Sequence, residues 1–272
     1  MKKRGHIVGL CLIVLGVICA GIGGYRHLSE RNAGKIYEEL KEQAQNTSAS
    51  KEEQTAVDAQ KETKTQEEIV IQEEIKTQAE MEEIPIDFDT LIAQYPDIYA
   101  WIQIPGTVID YPIVQREGDN AYYLNHTIDG KKKTEGAIFT EDYNGKDFTD
   151  PNTLIYGHNM KNDSMFGELH NYKDRKFLEE NPEIIIYLPD QVLHYQIFAA
   201  YVYDNRHILL NFDFEDPDVY DAYLKSIFQR KGMSSNIDTS VEVTTEDQII
   251  TLSTCNGNDT QRYLVQAVLI SK

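Results

Sequence analysis

Late in the chain stands the stretch Thr251-Leu-Ser-Thr-Cys255-Asn-Gly-Asn-Asp-Thr-Gln-Arg262-Tyr-Leu-Val265. Residues 248–252 and 263–270 are rich in Ile, Leu and Val, which predicts two short buried strands. The polar residues between them favour a turn. A strand–turn–strand hairpin would place Cys255 close to Arg262. Because a neighbouring cation favours the thiolate, this pair is a candidate reactive site; the alternative is a small buried cysteine and a surface arginine.

The composition is that of an acidic protein with few cysteines. The chain has 272 residues, enough for one or two domains, and a formal net charge of -19, which argues against nucleic acid as a partner. Of its three cysteines, Cys11 and Cys19 lie in an apolar N-terminal run, so Cys255 has no partner for an internal disulfide in the rest of the chain. Zinc-ligand spacings are missing, and we expect neither a metal site nor a cofactor.

The N-terminal region combines a basic start with an uncharged apolar run at 7–24. That run is at the lower end of the length that spans a bilayer as a helix. A cleaved signal peptide and a lipoprotein at Cys19 are the alternatives, but the run is long for the first and its context fits the second poorly. We therefore expect a cytoplasmic tail at 1–6 and an uncleaved transmembrane anchor at 7–24, with the remainder of the chain outside the membrane.

Two further parts follow the predicted anchor. Residues 38–83 are acidic and contain no aromatic side chain, glycine or proline, so they cannot bury enough apolar surface to form a core. We expect residues 25–84 to be an acidic extracytoplasmic linker, a solvated spacer that forms helix at most transiently. Aromatic and β-branched residues become frequent beyond it, which predicts a globular catalytic domain over 85–272.

The predicted domain is dominated by strand patterns. Eight apolar stretches have strand length: 100–104, 108–114, 137–139, 153–156, 183–188, 193–203, 248–253 and 263–270. Helical patterns cover 88–95, 164–172, 176–180 and 218–231, the last with Pro217 at its start and Gly232 as its stop. Strands and helices do not alternate regularly, so the pattern predicts a mostly antiparallel β-barrel or sandwich.

A cysteine nucleophile needs a base or ion-pair partner, which is usually a histidine. The domain offers five histidines: His126, His158, His170, His194 and His207. Only His158 directly follows a predicted buried strand and a glycine, Gly157, which permits a sharp exit and close backbone approach. A histidine at such a place is structural about as often as it is chemical. Its position at a strand end, like that of Cys255, favours the chemical interpretation.

Taken together, these residues resemble the sortases, specifically class B. The resemblance covers about residues 86–272. It rests on Tyr156-Gly-His-Asn-Met160, Ser164-Met-Phe166, Thr251-Leu-Ser-Thr-Cys255 and Arg262, with Asp97-Ile-Tyr-Ala-Trp-Ile-Gln-Ile-Pro105 and Ile109-Asp-Tyr-Pro-Ile-Val-Gln115. It implies a mostly β fold, an eight-stranded sortase-type β-barrel with an N-terminal helix and an inserted helix before the penultimate strand.

The same resemblance implies a function and its residues. The chain would be a membrane-anchored cysteine transpeptidase of a Gram-positive-type bacterium, with its N-terminus in the cytoplasm and its catalytic domain outside. Cys255 would be the nucleophile, His158 the general acid and base, and Arg262 the group that holds substrate and stabilises the oxyanion. The resemblance also implies substrate contacts at Ser253, Thr254, Asn120 and Leu124.

The expected substrates are surface proteins with a C-terminal sorting signal of the Asn-Pro-x-Thr type. The enzyme would cleave after Thr and transfer the acyl group to a cell-wall amine, on a peptidoglycan precursor or cross-bridge. The lipid bilayer would be a further partner, through the N-terminal helix. Three alternatives stay open: a pilin-polymerising sortase, a plain cysteine peptidase, and a membrane-tethered binding module whose cysteine is merely buried.

Overall fold

A curved β-sheet is the framework of the computed structural model, which describes residues 35–44, 83–230, 232 and 235–272. Within these residues the strands are β1 Ile98–Gln103, β2 Asp110–Val114, β3 Ile138–Thr140, β4 Asn152–Tyr156, β5 Glu183–Tyr187, β6 Val192–Asp204, β7 Asn236–Ile237, β8 Ile249–Cys255 and β9 Gln261–Ser271. From residue 83 onward the α-helices of the described residues are α1 Phe88–Gln94, α2 Arg175–Glu180, α3 Ile208–Asn211 and α4 Pro217–Phe228. All eight predicted strands are confirmed, within a few residues at their ends.

The strands close into a barrel in the order β5-β1-β2-β3-β4-β8-β9-β6, because β5 also pairs with β6. The two-residue strand β7 lies outside this ring, on the far edge of β6. The predicted eight-stranded barrel, with a helix at its start and a helix inserted before the penultimate long strand, is confirmed. Most pairs are antiparallel, but β2–β3 and β4–β8 are parallel.

Two helix predictions need correction. The predicted short helix at 164–172 is confirmed only from residue 167: the structure has a 3-10 helix at Gly167–Lys173, preceded by left-handed backbone at Asp163 (φ 62°) and Met165 (φ 56°), which cannot continue a right-handed helix. The predicted stop of the long helix at Gly232 is also wrong, since α4 ends at Phe228. Its last buried residue is Ile227.

A buried polar group joins the strands β6, β8 and β9 to α4. Gln266 is fully buried; its Oε1 accepts from the Tyr201 hydroxyl at 2.8 Å, and its Nε2 donates to the Tyr223 hydroxyl at 2.9 Å and to Thr251 Oγ1 at 2.8 Å. Thr251 in turn donates to Asn152 Oδ1 on β4 at 2.8 Å. Since Thr251 and Gln266 are also paired across β8 and β9, this group fixes the two strands that carry Cys255 and Arg262.

A helical segment at 35–44 lies within the predicted linker. Its residues Leu40 and Ala44, four positions apart, are buried, and Lys41 Nζ is 2.5 Å from Asp110 Oδ2 on β2. No helix of the described residues is long and apolar enough to cross a bilayer. The predicted tail at 1–6, the predicted anchor at 7–24 and most of the predicted linker lie outside the described residues, and they stay predictions.

Candidate active site

The parallel pair β4–β8 brings His158 and Cys255 to the same end of the barrel. Tyr156, the last residue of β4, lies opposite Ser253, and Gly157 N donates to Ser253 O at 3.2 Å beyond that point. The chain segments 157–158 and 254–255 therefore leave this register side by side. This pairing is the structural reason that two groups far apart in sequence share one site.

Side chains pack so closely against Gly157 that a residue with a Cβ atom does not fit there. A Cβ atom built on it would lie 2.6 Å from Ile138 Cδ1 and 2.6 Å from the Phe166 ring. Any larger residue would push the segment away from the barrel. The predicted role of Gly157, close approach ahead of His158, is confirmed.

Cys255 and Arg262 face each other across the β8–β9 hairpin, as predicted. They are the last register pair of these antiparallel strands, so their side chains lie on the same face of the sheet. The Cys255 side chain is exposed at the strand end, whereas Arg262 is half-buried and donates from Nη1 to Gln261 O at 3.0 Å. An accessible thiol beside a guanidinium suits nucleophilic attack on a carbonyl better than a structural role.

One pocket gathers every predicted site residue. It encloses about 220 Å³, with apolar side chains such as Leu154 and Ile208 in its wall. The predicted residues that line it are Cys255, His158, Arg262, Ser253, Thr254, Asn120 and Leu124. The sequence alone had placed only Cys255, Arg262, Ser253 and Thr254 near one another, and the fold adds the remaining three.

The ring of His158 is oriented by a main-chain group. Its Nε2 lies 2.7 Å from the carbonyl oxygen of Leu124, so Nε2 carries a proton and donates to that oxygen. Within the described chain no hydrogen bond reaches Nδ1, which leaves this nitrogen for proton exchange. Leu124 thus contributes its carbonyl as well as its side chain, which is 46% exposed beside the pocket.

Asn120 lines the pocket and also binds the neighbouring loop. Its amide Nδ2 donates to Asp142 Oδ1 at 2.6 Å, and its Oδ1 accepts from Asp142 N at 2.8 Å. Gly118 N donates to the same carboxylate at 2.9 Å, and hydrogen bonding of this kind lowers the pKa of Asp142. Asn120 lines the pocket while its polar atoms hold two loops together.

Sequence analysis missed the two side chains that hold the main chain of Cys255. The carbonyl oxygen of Cys255 accepts from Asn159 Nδ2 at 3.1 Å and from His170 Nε2 at 2.9 Å. The His170 ring stacks on Tyr263 at 4.8 Å, and burial lowers its pKa although the bond to Cys255 opposes that effect. Asn159 could have been noticed because it follows His158 directly; His170 has no sequence signal.

Two residues that line the pocket each carry a buried polar atom without a hydrogen-bond partner. Tyr203, which is 5% exposed, and Thr254, which is 2% exposed, both line the pocket, and neither the Tyr203 hydroxyl nor Thr254 Oγ1 has a hydrogen-bond partner among the described residues. Buried polar atoms in proteins are nearly always paired. These two atoms are exceptions, and their burial keeps them from contact with a ligand in the pocket as it stands. Within the described chain, no group of acidic, histidine and cysteine side chains could hold a metal ion.

Comparisons with known proteins agree on one family. A family model described as Sortase domain matches residues 102–270, a range that includes all the pocket residues. The curated sortase B of Listeria monocytogenes is 36% identical over 179 residues, which are 65% of this chain and 71% of that protein. The sortase B of Staphylococcus aureus is 31% identical over 194 residues, 70% of this chain and 77% of that protein.

Solved structures agree with the sequence comparison. The Staphylococcus aureus sortase B–substrate complex has a TM-score of 0.61 at 30% identity and covers 74% of this chain and 91% of that chain. The structure of sortase B of Clostridium perfringens compares with this chain at a TM-score of 0.60 and 30% identity. The match covers 67% of this chain and 99% of that chain.

Proposed function

The chain belongs to the sortase family as a class B cysteine transpeptidase, and on that basis we propose that it cleaves an Asn-Pro-x-Thr sorting signal after Thr. The acyl group then passes to a cell-wall amine, on a peptidoglycan precursor or cross-bridge. The observation that carries this proposal is the common pocket of Cys255, His158 and Arg262 at the aligned ends of β4 and β8. It is the arrangement that acyl transfer through a thioester needs.

The first half of the reaction forms the thioester. The Cys255 thiolate attacks the carbonyl carbon of Thr and forms the S–C bond, and the negative charge moves to the carbonyl oxygen. Arg262, opposite Cys255 on β9, donates to this oxyanion. The C–N bond then breaks as protonated His158 gives its proton to the leaving nitrogen. The downstream peptide therefore leaves with a neutral amino group.

The second half transfers the acyl group. The incoming amine attacks the thioester carbonyl and loses a proton to His158, and the thiolate of Cys255 departs. His158 ends protonated and Cys255 ends as thiolate, so the cycle closes without a cofactor. The hydrogen bond from His158 to the Leu124 carbonyl supports this role, because it fixes the ring while Nδ1 stays available for the proton.

The pocket supports a peptide substrate. Its wall combines apolar side chains such as Leu154 with the polar side chains of His158 and Arg262, which suits a short extended segment that offers both apolar and polar groups. A substrate complex exists for the Staphylococcus aureus sortase B, at 30% identity to this chain. For the present chain, Ser253, Thr254 and Leu124 are proposed to contact the signal directly, and Asn120 to hold the loop beside it.

The location belongs to the same proposal. We place the protein in the cell membrane as a single-pass protein, anchored through residues 7–24, with the catalytic domain on the extracytoplasmic side. The apolar run and the basic residues before it support this placement. Alkylation of Cys255 in intact cells by a membrane-impermeant thiol reagent tests it, and labelling only after lysis would contradict it.

One experiment separates the proposed reaction from its alternatives. The purified protein is incubated with an Asn-Pro-x-Thr peptide, with and without an added amine, and the products are identified by mass spectrometry. We expect cleavage after Thr and an amine adduct when amine is present. Hydrolysis alone at every amine concentration would favour a peptidase. Transfer only to the lysine of a pilin peptide, and not to a cell-wall amine, would favour pilus assembly.

A further inference from the structure

A hydrogen-bonded group of three polar side chains forms part of the pocket wall. Glu141, His207 and Tyr156 all line the pocket. Glu141 Oε2 accepts from His207 Nε2 at 2.5 Å and from the Tyr156 hydroxyl at 3.0 Å, and the Glu141 side chain is only 15% exposed. The two halves of the transpeptidation reaction use none of the three, so the group is free for another task.

The two partners of Glu141 both act as donors. His207 Nδ1 accepts from Leu210 N at 3.3 Å, so in the neutral ring the proton is on Nε2 and points to Glu141. Burial, with a contribution from Glu141, raises the pKa of Tyr156, so its hydroxyl stays protonated and donates as well. Within the described residues no hydrogen bond reaches Glu141 Oε1. A largely buried carboxylate oxygen with unused acceptor capacity favours a ligand that donates.

The position of Glu141 matches one part of the proposed substrate. Glu141 follows Thr140, the last residue of β3, which pairs with Ile155 on β4. In the same register Glu141 comes opposite Leu154, and its carboxylate reaches the hydroxyl of Tyr156, the last residue of β4. Glu141 lines the same pocket as Cys255 and His158. A signal that binds extended in this pocket with its Thr carbonyl at Cys255 has its first residue three residues, about 10 Å, from that point, where Glu141 can meet its side chain.

We propose that Glu141 selects the first residue of the sorting signal by accepting a hydrogen bond from a carboxamide side chain. This inference rests on the proposed function. An Asp in that position would set a second carboxylate against Glu141, and a Leu would leave Oε1 unpaired. A cationic side chain would face the guanidinium group of Arg262, which lines the same pocket; Arg206 lines it too, but its guanidinium is paired with Asp204. A neutral amide satisfies the acceptor without either conflict.

The test uses three peptides that differ only in the first residue, Asn, Asp or Leu, followed by the same Pro-x-Thr sequence. The purified wild-type protein should cleave the Asn peptide about tenfold faster or more than either other peptide, in kcat/KM. In Glu141→Gln the kcat/KM for the Asn peptide, divided by that for the Asp peptide, should fall about tenfold or more, because the glutamine amide can donate to the Asp carboxylate. Both rates come from one preparation, so their ratio does not depend on the folded fraction.

The chain contains a matched control for this variant. Glu183 on β5 is paired with a histidine in the same way, with Oε1 2.7 Å from His194 Nδ1 on β6, but it lies outside the pocket. Glu183→Gln removes a carboxylate from a histidine partner at that distant place. It should keep the wild-type order and ratios of the three peptides.

The outcomes separate this inference from the proposed function. If the wild-type protein cleaves the Asn peptide but Glu141→Gln keeps the same ratios, Glu141 does not select the residue and the inference falls alone. If Glu141→Gln lowers the cleavage rate of all three peptides equally, Glu141 has a structural role, and the inference is overturned as well. If the wild-type protein cleaves none of the peptides, the Asn-Pro-x-Thr signal itself is wrong, and the inference falls with it.

Discussion

Replacement of Gln266 by leucine should strongly destabilise the barrel. Leucine keeps a similar volume but removes the amide at the centre of the buried polar group. The Tyr201 hydroxyl loses its acceptor, a cost of about 1 to 3 kcal/mol for a buried donor. The bonds to the Tyr223 hydroxyl and Thr251 Oγ1 are lost too, at about 0.5 to 1.5 kcal/mol each. The expected loss in the free energy of unfolding is therefore about 2 to 6 kcal/mol.

Denaturant unfolding of Gln266→Leu, followed by the fluorescence of Trp101, measures this loss. Trp101 is the single tryptophan and is fully buried, so its emission reports the state of the barrel. Gln248→Leu is the control: Gln248 is half-exposed, and among the described residues its side chain makes one hydrogen bond, to Thr149 O at 2.6 Å. It should change the free energy of unfolding by less than about 1.5 kcal/mol.

A second variant tests the cause of the loss. In the Gln266→Leu background, Tyr201→Phe removes the stranded hydroxyl, so it should restore part of the stability, whereas in the wild-type background it should destabilise. Gln266→Leu within about 1 kcal/mol of the wild type would refute the reasoning, since the buried amide would then contribute no more than an ordinary hydrogen bond. The same holds if Tyr201→Phe lowers stability equally in both backgrounds.

Three further predictions concern the site and the core. Cys255→Ala should abolish cleavage and transfer while Cys11→Ala and Cys19→Ala keep both, and residual turnover in Cys255→Ala above a heat-inactivated sample would refute the nucleophile. Arg262→Lys should lose nearly as much cleavage rate as Arg262→Ala, on the order of 10²-fold or more, because lysine lacks the planar fork; near wild-type cleavage would show that charge alone suffices. Burial raises the pKa of Tyr223 to about 12, so above pH 10 the native state holds a proton that the unfolded chain loses; stability should fall by about 1.4 kcal/mol per pH unit for this group, and denaturant midpoints unchanged from pH 9 to 11 would contradict it.

The predictable parts of the fold are those with local causes. The hairpin that pairs Cys255 with Arg262 joins consecutive strands, so apolar pattern and turn chemistry were enough to place both side chains. The barrel followed from eight strand patterns and the resemblance to class B sortases. The start of the predicted helix at 164–172 was wrong because the left-handed backbone at Asp163 and Met165 leaves no mark in the pattern.

The unpredictable parts depend on contacts between distant segments. The parallel pairing of β4 with β8 has no local signal, and it alone sets His158 beside Cys255. His170 and His207 lie in polar segments without periodicity, yet one holds the Cys255 carbonyl and the other binds Glu141 in the pocket wall. Their roles depend on contacts with residues far away in the sequence, which the spacing of residues does not reveal.

The parallel contact of β4 and β8 also has a consequence for the order of folding. Asn159 and the Cys255 carbonyl that it binds are 96 residues apart, so this contact closes one of the long loops of the chain. Long loops are costly to close, and contacts across them form late. A nascent or partly folded chain would thus carry a cysteine without its histidine. The thiol acquires its acid–base partner only when the barrel closes. Cys255 should therefore become able to cleave a peptide at the same time as the native structure forms.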